Sequence, residues 1–339
     1  YRPNLMAIIV VGDINVDEME GKVKSHFGKY KNPVNEKPRT TFDIPNHKET
    51  FVSVNTDKEA TSANVQIFYK DQGTPKPSTT IGDMKQDLIE GLFSQMLNAR
   101  LEEYTNSATP PFVYGYSFHG SMLGRGKEAF QSMAMTAEDK QLEAVKVLAL
   151  ENERARKFGF TQSELDRAKR EYFAFYEKAY NDRDKNNSST YLGRYQTNFL
   201  LGEAIPSIEY EYNLVKELLP TITIKETNSL IQSYIKDENR VIILTGPEKE
   251  GLKAPTEKEV LAALDVSKVE VTPYQDAVVA ESLIRTEIKP GKVVKTSKND
   301  KLGTTTLELS NGAKVTYKKT DFKNDEILFN AASFGGFNA

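Results

Sequence analysis

The fold class predicted for this chain is α+β, an antiparallel sheet with a helical layer, flanked by pieces of neighbouring domains. Three observations predict it. Short runs at 50–54 and 63–69 alternate apolar and polar residues, as half-buried strands do. Long stretches at 81–104 and 138–235 place apolar residues at helical spacing. A strand, a glycine turn and a helix occur at each end of the central block, an echo expected of two related domains that finish alike.

The first element is an unbroken apolar run, Leu5 to Val11, closed by Gly12-Asp13, which predicts a fully buried strand. Such a strand needs neighbours on both sides, so the opening is expected to be the end of a cut-out domain. Asn15 with Glu18 three residues on is a helix start, and Met19, Val23 and Phe27 mark that helix's apolar face. From Lys29 to Pro45 the chain is rich in Pro, Asn, Lys and Glu, as an exposed connector is, and a domain boundary falls there.

In the central block, strands at 50–54 and 63–69 are expected side by side in one antiparallel sheet, with the helix 81–104 lying on it. Pro110-Pro111 breaks the chain. Residues 112–123 and 129–137 follow as a hairpin turned at Gly124-Arg125-Gly126. A helix from 138 should stop at Gly159. Thr161-Gln162-Ser163-Glu164 is a capping box, with Phe160 and Leu165 placed as a hydrophobic staple. Helical segments continue at 171–180, 188–201, 208–218 and 224–234, punctuated by Gly202, Pro206 and Pro220. A buried strand at 240–247 and a helix at 257–264 close the block.

Residues 265–302 have no helical period and read as a linker, after which Asn311-Gly312 predicts a type I′ hairpin between 304–310 and 313–317. The expected domains are therefore 1–45, 46–266, a linker at 267–303 and the start of a further domain at 304–339. Strands interrupted at both ends would leave open sheet edges, so self-association is expected.

Composition narrows the function classes. With 45 Lys+Arg against 48 Asp+Glu in 339 residues, no global field recruits nucleic acid. No apolar run approaches the roughly 18 residues needed to cross a bilayer, so no membrane span is expected. The absence of Cys excludes disulfides, thiolate metal sites and a Cys nucleophile. Gly124-Arg125-Gly126-Lys127 lacks the glycines and helix of a phosphate cradle, and the charged runs 151–156 and 166–170 mix signs along solvated helix faces.

Four segments in order carry a resemblance. Ile9-Val10-Val11-Gly12-Asp13-Ile14-Asn15, Met96-Leu97-Asn98-Ala99-Arg100-Leu101-Glu102-Glu103, Gly159-Phe160-Thr161-Gln162-Ser163-Glu164-Leu165 and Leu309-Ser310-Asn311-Gly312-Ala313-Lys314-Val315 resemble the pitrilysin/insulinase family of zinc metallopeptidases. The long bacterial members are the nearest likeness. The resemblance implies related α/β domains paired around a closed chamber, with this chain centred on the non-catalytic second domain.

It also implies zinc in the intact protein, held in the first domain by His-x-x-Glu-His and a later Glu. This chain has no such motif. His26, His47 and His119 are far apart in sequence, so no metal site and no catalytic residue is expected on this chain, which should be inactive alone. The implied role is substrate binding, with peptide or protein as substrate and with the zinc-bearing upstream domain and downstream domains of the same chain as partners. Candidate substrate-binding residues are Tyr114, Tyr116 and Arg100. Alternation would put Phe112, Tyr114 and Tyr116 on one face, where sheet packing competes with a substrate role. Arg100, near a helix end, has a favourable dipole contact as its alternative role. A periplasmic or cell-envelope location is the leading expectation. The rival is a structural or assembly subunit of the same fold without peptidase activity.

Overall fold

A computed structural model describes residues 2–71, 75–121, 124, 126–276, 284, 286–333 and 335. Arg125 and Leu123, part of the expected hairpin turn, lie outside the described residues. The chain divides into two compact units. The first takes Tyr1–Tyr176 and Asn187–Asp276; the second takes Glu177–Asn186 and the described residues after Asp276.

The first unit is built on a sheet of β1 (Phe51–Asp57), β2 (Ala63–Lys70), β3 (Tyr114–Ser121), β4 (Glu128–Thr136) and β5 (Arg240–Pro247). Their order is β1-β5-β2-β4-β3. β2, β3 and β4 pair antiparallel, and β5 runs antiparallel to β2 but parallel to β1. The sheet is thus mixed rather than wholly antiparallel, and β1 and β2 are not neighbours. Local alternation assigns each strand a buried face but cannot choose its partner; here the late strand β5 inserts between the two early ones.

Two helices carry most of the core, α2 (Ile81–Thr105) and α3 (Gln141–Phe158). Leu88, Leu92, Phe93, Met96, Leu97 and Leu101 of α2 meet Val145 and Leu148 of α3 and the sheet residues Val65, Ile67, Phe130 and Ala134. All have lost nearly all contact with water, which is the main stabilising term of such a domain. A reciprocal Thr80–Asp83 capping box starts α2. α3 stops at Gly159, whose φ of 71° suits glycine.

Helix α4 (Gln162–Asn181) begins with the expected box: the Thr161 N–H donates to Glu164 Oε2 at 2.7 Å and the Glu164 N–H to Thr161 Oγ1 at 3.3 Å. Phe160 and Leu165 are buried as the staple requires. The segment 171–180 continues this helix without a break. Helices α5 (Ser188–Leu201), α6 (Ile208–Leu218), α7 (Ile224–Tyr234) and α8 (Glu257–Leu264) complete the layer.

The opening run departs from expectation. Residues 6–11 form no strand, and Leu5, Met6, Ile8 and Val10 are exposed. An apolar run becomes a buried strand only when partners satisfy its backbone, and none among the described residues does. Ile8 and Val10 instead face Met19, Val23 and Phe27 of α1 (Val16–Phe27) across an open groove. Only the later of the two echoed strands, β5, is therefore built.

In the second unit β6 (Val293–Asn299), β7 (Thr304–Leu309) and β8 (Lys314–Tyr317) form an antiparallel three-stranded sheet. β6 lies inside the stretch expected to be a linker; its sequence, Val-Val-Lys-Thr-Ser-Lys-Asn, is exposed along its whole length and lacks the apolar alternation that marks a strand. The β7–β8 turn is not type I′, because Gly312 has a φ of 87° while Asn311 keeps a negative φ. Leu309 bonds across to Ala313 and Gly312, the pattern of a three-residue loop ending in a left-handed glycine. The end of α4 is tied into this unit by Asp182, whose carboxylate accepts the N–H groups of Asn324 and Asp325 at 2.7 and 3.2 Å.

Candidate functional site

β3 is an edge strand, and its residues divide between two faces. Ser117 points into the core and its hydroxyl donates to Ser132 Oγ at 2.9 Å. Gly115 lies beside the Phe112 ring, which a Cβ at that position would approach to 2.9 Å. Phe112 is buried against the core, so it does not share a face with the tyrosines as alternation suggested. The reason is that β3 starts only at Tyr114; residues 111–113 bend, and the period of two is lost across the bend.

Tyr114, Tyr116 and Phe118 point to the other face. Their rings stack in a ladder, with centroids 6.3 Å apart for the first pair and 5.6 Å for the second. Tyr114 and Tyr116 remain 47% and 38% exposed, enough for a ligand to reach the phenols. Opposite them on β4 stand Met135 and Met133, half-buried, with Gln66 of β2 and Ile243 of β5 beyond. This side of the sheet therefore offers aromatic, thioether and amide groups on a rigid base. Flat rings can lie on a peptide backbone and phenols can donate to its carbonyls.

The outer backbone of β3 is partly closed. Asn98 of α2 accepts the Ser117 N–H at 2.6 Å and donates to the Ser117 carbonyl at 3.0 Å. One amide side chain thus occupies the position a neighbouring strand would take, which protects the edge at that residue.

Arg100 lies elsewhere. It is 2% exposed, and its Nε and one terminal nitrogen bind the two Glu164 oxygens at 2.7 and 2.9 Å. The second of these nitrogens also donates to the Gly159 carbonyl at 2.9 Å. The guanidinium is sandwiched between the Phe160 and Tyr274 rings at 4.7 and 4.5 Å. Such a group has no surface for a substrate; it ties α2 to the α3–α4 junction. It is not a helix-end charge in solvent either.

His119, at the far end of β3, is bracketed by carboxylates. Nδ1 lies 3.1 Å from Glu90 Oε2 and Nε2 lies 2.9 Å from Asp71 Oδ2. Burial alone would lower its pKa, but the hydrogen bonds and charges of Asp71 and Glu90 outweigh it and raise the imidazole to about 9. These acids stand 48 and 29 residues away in sequence, and no local spacing marks them.

None of the histidines fits the family's catalytic zinc. His26 is on α1, His47 stacks on Phe51 at 4.0 Å and His119 is on β3, so no two can grip one ion from successive helical turns. Among the described residues no helix is long and apolar enough to cross a membrane.

The fold and these residues define a peptidase-like domain that lacks a catalytic metal motif of its own. Residues 1–172 match the Peptidase M16 inactive domain, and the chain belongs to the M16 peptidase family. It is 27% identical to a protein of Arabidopsis thaliana named zinc protease PQQL-like, over 98% of this chain and 32% of that protein. The crystal structure of the periplasmic protease PqqL from Escherichia coli has the same fold, with a TM-score of 0.66 and 18% identity over 91% of this chain and 34% of that one. A structure of the first half of the same Escherichia coli protease gives a TM-score of 0.65 at 17% identity, covering 78% of this chain and 56% of that one. The chain spans about a third of the length of the relatives it matches end to end.

Proposed function

We propose that this chain is the non-catalytic, substrate-binding part of a zinc-dependent endopeptidase that degrades peptides in a closed chamber. The observation that carries the reading is the face of the sheet turned away from α2 and α3, where Tyr114 and Tyr116 stand exposed on an edge strand. A chamber wall needs such a face, and a row of half-exposed aromatic rings is the kind of apolar patch that marks an interaction surface. The peptide lies across the rings and accepts hydrogen bonds from the phenols. Because Asn98 occupies the backbone of Ser117, peptide capture here does not run as continuous strand addition along β3. Arg100 supports the wall from within.

Zinc belongs to the upstream domain of the intact protein, where it would activate water for attack on the peptide carbonyl. Residues 1–45 are read as the end of that domain with its connector, although the inactive-domain match itself takes in these residues, and 46–266 as the second, non-catalytic domain, followed by a linker and the start of a further domain. A periplasmic or cell-envelope location is part of this reading, supported by the periplasmic protease of Escherichia coli that shares the fold.

The test is to mix this chain with the separately produced zinc-bearing region and zinc, then assay peptide cleavage. A gain over the upstream region alone, reduced at least tenfold by the double change Y114A/Y116A, supports the reading. A stable complex with no gain would instead make this chain a structural subunit.

A further inference from the structure

Three strand ends meet where β3 finishes. Asp71 follows β2, His119 lies near the end of β3 and Glu128 opens β4. One ligand atom from each lies within 4.8 Å of the other two. The arrangement is fixed by the backbone, since the Asp71 N–H donates to the Glu128 carbonyl at 3.0 Å. Glu90 reaches in from α2 on the opposite side of the imidazole.

Tyr234 of α7 closes the back of this cluster. Its ring stacks on His119 at 4.5 Å and 15°, and its side chain is 6% exposed. The hydroxyl is buried beside Glu90 with no well-formed hydrogen bond, and it faces the same negative groups, Glu90, Asp71 and Glu128. A buried donor left without a partner costs stability, so this end of the sheet is not optimised for packing alone.

We propose that Asp71, His119 and Glu128 form a divalent-metal site suited to zinc, with Glu90 as the partner that orients the imidazole. On binding, the ion would take the place of the proton on Nε2, which is released to solvent, while Nδ1 keeps its proton and donates to Glu90. A carboxylate holding the far nitrogen of a metal-bound histidine is a common supporting arrangement. One imidazole nitrogen and two carboxylate oxygens are ordinary zinc ligands, with the fourth position left to water. Ligand atoms around a tetrahedral zinc sit roughly 3.4 Å apart, a contraction that small rotations of Asp71 and Glu128 supply. The ligands come from three strands, so the ion would pin β2, β3 and β4 together at one end. This revises the expectation of a metal-free chain and stands whether or not the tyrosines bind peptide.

The experiment is calorimetric titration of the chelator-treated chain with zinc chloride, with thermal unfolding measured alongside. The expected result is uptake of one zinc per chain and a rise in Tm. Uptake should weaken at least tenfold in E128Q and at least a hundredfold in D71N/E128Q, whereas E20Q, which changes an exposed carboxylate on α1, should bind as the unaltered chain does. Glu128 is half-buried at the mouth of the cluster, so E128Q keeps the test valid if the double variant fails to fold. Absence of uptake would overturn the proposal, and so would uptake that E128Q leaves unchanged.

Discussion

The two faces of the five-stranded sheet teach different lessons. On the helix-covered face Val65, Ile67, Phe130 and Ala134 are sealed, and the buried hydroxyls of Ser117 and Ser132 bond to each other. On the other face Tyr114, Tyr116 and Met133 keep contact with water although they stand on the same strands. Successive residues of β3 are therefore divided: one set packs into the fold, and the next stays in contact with water, where the proposed peptide contact would be made. The difference implies that stability and ligand binding can be perturbed separately by changes one residue apart.

The most damaging change should fall behind the covered face. Removing the Arg100 side chain leaves Glu164 charged, buried and without its main partner, a loss of about 3–5 kcal/mol for a broken buried pair. R100M should therefore lower the denaturation midpoint steeply, and R100M/E164Q should recover part of the loss, because the second change removes the stranded charge. If R100M were neutral for stability yet abolished peptide binding, the separation of the two faces would be wrong.

A smaller effect is expected at the α2–α4 contact. A Cβ on Gly91 would lie 2.0 Å from the Tyr172 hydroxyl oxygen, so the tyrosine must move. G91A should cost about 1–3 kcal/mol, the usual range for overpacking, despite the better helix propensity of alanine. Urea unfolding of the variant measures it.

On the open face the expectation inverts. Y114F and Y116F should change stability by less than about 0.5 kcal/mol, as surface substitutions do, while weakening peptide binding through the lost phenol donors. Fluorescence anisotropy with a labelled extended peptide, run beside thermal unfolding, separates the two readouts.

The smallest effect belongs to the half-exposed pair that joins α2 to α7. The hydrogen bond from Lys85, at 2.7 Å, and those from Thr223 hold the Glu226 carboxyl down to about 2. A carboxyl whose folded pKa is depressed contributes stability above its unfolded pKa and loses it as pH falls through the folded value. The Tm advantage of the unaltered chain over E226Q should hold above pH 4.5 and fade toward pH 2.

Much of the molecule was legible along the chain, and for a definite reason. The Thr161–Glu164 box, the Phe160–Leu165 staple and the stop at Gly159 depend on residues within about one helical turn, so spacing alone reveals them. The alternation of β2 and the absence of a His-x-x-Glu-His motif are local in the same sense. Signals that needed a neighbour elsewhere were misread: the apolar run at 5–11 lacks the partners that would make it a buried strand, and exposed β6 carries no alternating pattern. At the candidate site the strand that carries the two tyrosines was recognisable, but the burial of Arg100 was not, because Glu164, its partner 64 residues away, is invisible to periodicity.

Short-range spacing thus dictated the helices, their ends, the strand faces and the family likeness. Packing alone settled the insertion of β5 between β1 and β2, the burial of Arg100 and the convergence of Asp71, Glu90 and Glu128 on His119. The reason is physical: local structure follows from bonds and side chains a few residues apart, whereas these arrangements require segments far apart in sequence to pack around one core before any of their groups can meet.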